Sequence, residues 1–314
     1  MKTAVIIPCY NEELTIAKVI NDFRKELPEA DIYVYDNNSK DDTSKIAAMN
    51  GAVVKREYRQ GKGNVVRSMF RDINADVYIM VDGDDTYPAE FVHQLIQPIV
   101  SDEADMVIGD RLSNGTYIKE NKRLFHNFGN GLVKNLINIL YHTSLKDIMT
   151  GYRAFGKNFV KNIPILSSGF EIETELTLHA LDKKFLIKEI PIIYRDRPNG
   201  SVSKLNTIRD GMRIIKTIFW IFKDYKPLNF FGIISLILFI ASLLAGIPVV
   251  DEFIRTKYIL HLPLAILAVG LMVLSTLSIT CGLILDTIVK HHKELYELML
   301  YREEFNKDNY KMVK

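Results

Sequence analysis

The sequence predicts an α/β fold with a mostly parallel sheet, followed by a two-helix apolar hairpin. Three observations carry it. Short apolar runs alternate with amphipathic stretches through the first third of the 314 residues, polar clusters stand at the ends of those runs, and two long uncharged segments lie late in the chain. Regular strand-helix alternation means βαβ units, whose strands run parallel.

Taken in order, residues 4–7 read as a strand that runs into Pro8-Cys9-Tyr10. A helix follows, with Asn11 as its expected cap and Glu12 and Glu13 complementing the dipole of its first turn. Residues 32–35 form the next strand, ending in the polar run Asp36 to Asp42. A short helix leads to a strand at 52–54 and a loop holding Gln60-Gly61-Lys62-Gly63-Asn64. Another helix precedes Tyr78-Ile79-Met80-Val81-Asp82-Gly83-Asp84-Asp85, an apolar strand that stops abruptly in carboxylates. Pro88 suits the first turn of the helix after it, and residues 104–108 return as a strand.

Strand ends of this kind meet at the ligand-binding edge of an open α/β sheet. In an extended backbone Asp82 and Asp84 project the same way, about 7 Å apart. Two such carboxylates suit a divalent cation, a hard ion that takes oxygen ligands. Taken alone, the segment is equally a solvated acidic turn, since Asp and Gly are common turn residues. The chain contains no G-x-G-x-x-G after its first strand and no G-x-x-x-x-G-K-[ST]. That disfavours a Rossmann dehydrogenase and a P-loop NTPase. A nucleotide bound without those loops needs a metal on its diphosphate.

The net charge of +2 argues against a nucleic-acid binder. Cys9 and Cys281 lie in unrelated contexts, so neither a disulfide nor a zinc framework is expected. Met1-Lys2-Thr3 leads straight into a β-like run, and no signal peptide is expected. The middle of the chain is rich in cations: Arg111, Lys119, Lys122 and Arg123, then Arg153, Arg195, Arg197 and Lys204. From 204 to 225 an apolar stripe (Leu205, Ile208, Met212, Ile215, Phe219, Phe222) runs beside Arg209, Arg213 and Lys216. Such a helix suits an anionic lipid surface.

Residues 230–250 and 262–285 are long enough to cross the bilayer, which takes about 20 apolar residues. Lys223, Lys226, Lys290 and Lys293 flank the hairpin, while its turn has no cationic excess. The positive-inside rule then places the first domain and both termini in the cytoplasm, on a multi-pass cell-membrane protein. Gly232, Ala241, Ser242, Ala245 and Gly246 offer small surfaces for helix contact, within the hairpin or between subunits of a homo-oligomer. The expected divisions are 1–203 (catalytic), 204–228 (interfacial helix), 229–289 (two-span hairpin) and 290–314 (tail helix).

Four motifs taken together, Pro8-Cys9-Tyr10-Asn11-Glu12, Asp36-Asn37-Asn38-Ser39-Lys40-Asp41, Gly61-Lys62-Gly63 and Asp82-Gly83-Asp84, resemble the GT-A glycosyltransferases of family 2. The likeness is greatest to polyprenyl-phosphate glycosyltransferases, which act on dolichol or undecaprenyl phosphate. Asp147-Ile148-Met149-Thr150-Gly151-Tyr152-Arg153, Gly169-Phe170-Glu171-Ile172-Glu173 and Arg197-Pro198-Asn199-Gly200-Ser201-Val202-Ser203-Lys204 extend it. The resemblance implies that Pro8, Tyr10, Glu12, Asp36, Asn38, Lys62, Asp82 and Gly83 contact the nucleotide sugar. It also implies that Asp82 and Asp84 hold Mg²⁺ or Mn²⁺.

Asp84, Asp147, Arg153, Glu173, Arg197 and Lys204 are the expected catalytic residues, and Arg111, Arg123, Arg197, Ser201 and Lys204 the expected contacts of the acceptor phosphate. Arg197 is the first choice there, because its planar fork fits phosphate oxygens. Two departures stand out. Asp82-Gly83-Asp84-Asp85-Thr86 replaces the more usual Asp-Ala-Asp-Leu-Gln, which opens the question of whether Asp85 joins the metal shell. Asn38 stands where glycine is usual, and Asn tolerates the left-handed conformation.

The implied activity is metal-dependent, inverting transfer of a hexose to polyprenyl phosphate for cell-envelope or cell-wall glycans. UDP-glucose or UDP-N-acetylglucosamine is the expected donor, with GDP-mannose as the alternative. A processive polysaccharide synthase and a non-catalytic nucleotide-sugar-binding scaffold are the competing classes. The missing Q-x-x-R-W motif disfavours the first, and the intact Asp82, Asp84, Arg197 and Lys204 disfavour the second.

Overall fold

The computed structural model describes residues 1–113, 124–169, 171–197, 216 and 219–312, with backbone alone for 124–130 and 301–312. The chain divides into two compact units, Met1–Ile214 and Ile215–Lys314.

The first unit is built on a seven-stranded sheet of order β3-β2-β1-β4-β6-β5-β7. Its strands are β1 (Thr3–Cys9), β2 (Asp31–Asp36), β3 (Val53–Arg56), β4 (Val77–Met80), β5 (Met106–Asp110), β6 (Arg153–Gly156) and β7 (Ile187–Pro191). All neighbours pair in parallel except β6, which runs antiparallel to both β4 and β5. The mostly parallel α/β sheet expected from the alternation is therefore present, and its one reversed strand lay in a segment with no periodic signal.

Helices cover both faces. On β1, Val5, Ile7 and Cys9 point into one core and Ala4 and Ile6 into the other, the period-two alternation of a strand buried on both sides. Helix α1 (Ile16–Glu26) seals the first face with Ile16, Val19, Ile20 and Phe23, and α4 (Val92–Val100) adds Val92, Leu95, Ile96 and Ile99. These are the three- and four-residue steps of a helical stripe. On the other face lie α3 (Lys62–Asp72), α6 (Lys157–Asn162) and α7 (Ile172–Asp182). Helices α2 (Thr43–Met49) and α5 (Leu124–Tyr141) are the unit's other α-helices among the described residues.

Helix α1 starts at Ile16, later than expected, because Asn11 adopts φ 53° and is no cap. Its side chain instead joins the loop after β2, as described below. Asn38 has φ 63°, the left-handed conformation expected of it.

The second unit is a pair of helices, α8 (Pro227–Thr256) and α9 (Leu262–Met312). Both are long and apolar enough to cross a membrane. Hydrogen bonds join them: Ser275 Oγ donates to the Ser235 carbonyl at 2.8 Å, and Ser242 Oγ donates to the Ala268 carbonyl at 2.8 Å. Gly246 faces Ala268, where an added Cβ would stand 3.5 Å from the alanine methyl. Gly232, grouped with these small residues in the sequence, faces open space instead. Most of the expected 204–228 helix lies outside the described residues; its described end, 219–225, is helical.

Candidate active site

Strands β2, β1 and β4 are adjacent and parallel, so their carboxyl ends share one edge of the sheet. That edge collects Pro8-Cys9-Tyr10-Asn11-Glu12, Asp36 to Asp42 and Asp82 to Asp85. Hydrogen bonds stitch these loops together. The Asn11 amide donates to Ser39 Oγ at 2.9 Å, the Lys40 amide to Asn11 Oδ1 at 2.8 Å, and the Glu12 amide to Thr43 Oγ1 at 2.8 Å. Thr15 Oγ1 donates to the Gly83 carbonyl at 2.6 Å and ties in the third loop. Asn37 adds the fourth: its Oδ1 accepts from the Gly61 amide at 2.7 Å, and its Nδ2 donates to the carbonyls of Glu57 and Arg59. Asp36 is buried and accepts from the Ser39 amide, and Asn38 donates to the Tyr58 carbonyl.

Close backbone approaches fix the glycines. A Cβ on Gly61 or Gly63 would run into the carbonyls of Ser168 and Ser167, so the loop before α7 lies directly on the start of α3. A Cβ on Gly83 would press on Cys9 Sγ, and one on Gly151 would strike the Asp82 carboxylate.

Each carboxylate of the Asp82-Gly83-Asp84 turn carries a cation. Lys62 Nζ bonds Asp82 and also lies 2.6 Å from Glu173 Oε1. Burial opposes its charge, but Asp82 and Glu173 overcome that and raise the ammonium's pKa. Asp84 is 5% exposed; its Oδ1 accepts from Thr86 Oγ1 at 2.6 Å, and its Oδ2 lies 2.5 Å from Arg197 Nη2. Burial, then the charge of Asp82, pushes the Asp84 carboxyl above its usual range. Asp85, in the left-handed region at φ 59°, turns to Lys18 at 2.6 Å. The acid whose role the sequence left open thus has a partner on α1.

A second layer stands behind this pair. Arg111 grips Asp147 through Nε at 2.7 Å and Nη2 at 3.0 Å, and donates to Tyr87 Oη at 3.3 Å. Burial would raise the Asp147 carboxyl, but the Arg111 charge and hydrogen bonds hold it below its usual range. Burial pushes the Tyr87 phenol up to about 12. The Gly151 amide donates to Tyr87 Oη at 3.1 Å.

Arg153, expected to be catalytic, is turned inward. Its side chain is wholly buried and donates to the carbonyls of Ile148 and Thr150 and to Thr177 Oγ1, which braces the 147–153 loop. Burial lowers it to about 10. Arg111, 8% exposed, likewise holds Asp147. Arg197 is drawn to Asp84, because the segment leaving β7 is tied to the acidic turn by the Arg195 amide donating to the Thr86 carbonyl at 3.0 Å. Arg123, Ser201 and Lys204, expected at the acceptor phosphate, lie outside the described residues, as do Lys119 and Lys122.

Asn37, Thr86 and Tyr87 were missed as supports of the site. Asn37 alone carried a signal, as the first of two amide-bearing residues after the strand-end Asp36.

Fold and site together define a GT-A transferase: a mixed α/β sheet with paired carboxylates at the carboxyl edge of its central strands. Residues 4–163 match glycosyl transferase family 2, and the chain belongs to that family. It is 31% identical over 294 residues to the glycosyltransferase AglJ of Haloferax volcanii, covering 92% of this chain and 94% of that one. It is 29% identical over 215 residues to a dolichyl-phosphate hexose transferase of the same organism, covering 68% of this chain and 91% of the relative. Among solved structures, glucosyl-3-phosphoglycerate synthase from Mycobacterium tuberculosis, in complex with Mn²⁺, UDP and phosphoglyceric acid, superposes with a TM-score of 0.58 at 18% identity. That match covers 71% of this chain and 77% of the other.

Proposed function

We propose that this glycosyltransferase moves a hexose from a nucleotide sugar, UDP-glucose or UDP-N-acetylglucosamine, onto a membrane-held polyprenyl phosphate such as undecaprenyl phosphate. The product is a lipid-linked monosaccharide for cell-envelope glycans. The observation that carries this is the Asp82/Asp84 pair at the sheet's carboxyl edge, with a cation on each carboxylate. The relative named as a dolichyl-phosphate hexose transferase and the apolar pair α8 and α9 support the lipid acceptor. GDP-mannose remains the alternative donor.

Asp82 and Asp84 fit a divalent cation. Both offer hard oxygen donors, and an ammonium and a guanidinium already occupy them. Mg²⁺ or Mn²⁺ held there would neutralise the donor's diphosphate. The structure places no group of three or more His, Cys, Asp or Glu suited to a metal among the described residues, so diphosphate oxygens would complete the shell.

The acceptor phosphate is anionic near neutral pH, its second ionisation lying near about pH 6, and needs little general-base help. One of its oxygens bonds to the anomeric carbon as the bond from that carbon to the diphosphate breaks, with inversion. The nucleoside diphosphate leaves with the electron pair. The protein's part is positioning and charge stabilisation. Pro8, Tyr10, Glu12, Asp36 and Asn38 frame the nucleoside. Lys62, fixed by Asp82 and Glu173, keeps positive charge beside the donor, and Arg197 serves the acceptor phosphate.

We place the protein in the cell membrane, with its GT-A unit and both termini in the cytoplasm. Helices α8 and α9 form the anchor and a surface for self-association. The test uses full-length protein in detergent with Mn²⁺, a polyprenyl phosphate and labelled UDP-glucose, UDP-N-acetylglucosamine or GDP-mannose. A lipid-linked monosaccharide is expected from one donor. A long polymer would mark a polysaccharide synthase, and nucleotide binding without transfer a scaffold.

A further inference from the structure

We propose that Arg197 is a resident counter-ion that holds Asp84 in the metal-free enzyme, and that loading a divalent cation displaces it toward the acceptor phosphate. One side chain then couples donor loading to acceptor binding and sets their order. The proposal rests on Asp82 and Asp84 being the cation ligands.

The geometry distinguishes the two resident cations. Lys62 is pinned at the start of α3 between two carboxylates, with its side chain 10% exposed. Arg197 lies on the segment after β7, is 28% exposed, and brings Nη2 to 2.5 Å from Asp84 Oδ2. Thr86 fixes the Asp84 carboxylate through Oδ1, so Oδ2 is the oxygen turned to a cation, and the guanidinium holds it. A divalent ion on Oδ2 and a guanidinium on the same atom repel one another in a site screened from water.

Release does not carry Arg197 far. Two residues earlier, Arg195 is anchored by its amide on the Thr86 carbonyl at 3.0 Å and by its guanidinium on Glu90 at 3.1 Å. An Arg197 displaced from Asp84 therefore stays beside the acidic turn, where its side chain is already part-exposed. That is the geometry for binding phosphate oxygens. Any state that engages Arg197 elsewhere strengthens cation binding at Asp84, and the coupling is reciprocal.

The test titrates Mn²⁺ into full-length protein in detergent without nucleotide, reading free Mn²⁺ by electron paramagnetic resonance. Thermal melts verify that each variant is folded. Arg197→Gln is expected to bind Mn²⁺ about tenfold more tightly than the parent protein, and Asp84→Asn to lose binding. Adding Mn²⁺ and UDP is expected to tighten binding of geranyl phosphate by the parent protein, and not by Arg197→Gln.

Unchanged or weaker Mn²⁺ binding by Arg197→Gln, with Asp84→Asn still defective, would overturn the counter-ion while leaving the ligand assignment standing. Normal Mn²⁺ binding by Asp84→Asn would remove the ligand assignment itself. Tighter Mn²⁺ binding by Arg197→Gln, without coupling to geranyl phosphate in the parent protein, would refute the hand-over to the acceptor.

Discussion

Replacing Lys62 by Met removes the charge that holds Asp82 and Glu173 together. The Lys62 and Glu173 side chains are 10% and 7% exposed and lie 2.6 Å apart, while Asp82 retains 27% exposure. Breaking a buried pair by deleting one partner costs about 3–5 kcal/mol, because the other charge stays buried without compensation. For a unit of this size each kcal/mol lowers Tm by about 2–4 °C, so Lys62→Met is expected to lower it by about 6–20 °C. The Lys62 pKa is raised, so its stabilising contribution is complete below the unfolded-state value of about 10.4 and fades only above it. Melts at neutral pH therefore read the whole effect.

Glu173→Gln alone leaves Lys62 on Asp82 and is expected to cost less, about 1.5–3 kcal/mol, the range for a lost charged hydrogen bond. The double variant buries no lone Glu173 charge and is expected to melt well above Lys62→Met. The coupling in that double-mutant cycle should reach about 2 kcal/mol. A Lys62→Met loss below about 1 kcal/mol, or additive single effects, would refute the account of Lys62 as the counter-charge of both acids.

Asp84→Ala is expected to abolish metal-dependent transfer with membrane insertion intact, compared by transfer assay and membrane fractionation. Gly151→Ala drives a methyl into the Asp82 carboxylate and should reduce transfer by more than about tenfold, measured as kcat/KM, a loss of about 1.4 kcal/mol. Glu57 is held down to about 2 by hydrogen bonds from Arg59, then Ser68, against burial, from a usual 4.5. Its stabilisation is present above pH 4.5 and is lost as pH falls toward 2, so Glu57→Gln should flatten that part of the stability profile in acid melts. Ser275→Ala removes the cross-helix bond to Ser235 and should weaken the hairpin by about 0.6 kcal/mol, read by unfolding in detergent or bicelles.

The alternation of apolar runs and polar ends was enough to derive the parallel core of the sheet and its ligand edge, because strand and helix periods are local properties of the chain. The left-handed Asn38 and the two long apolar helices were legible for the same reason: each depends on a residue's own conformational or transfer preference. Two of its features had no such local signal. Helix α1 begins late because Asn11 meets Ser39 and Lys40 across the edge, and β6 is reversed because it returns between β4 and β5 from a long connection.

By itself, the sequence determined which residue types reach the site: paired acids after β4, a lysine opening α3, and arginines in the later segments. Tertiary structure alone decided their partners. Arg153 goes inside to brace carbonyls, Arg111 locks to Asp147, Asp85 turns to Lys18, and Arg197 comes to Asp84. The physical reason is that a cation's role depends on which charge lies within a few ångströms of it after burial, and strand order, rather than sequence spacing, brings those charges together.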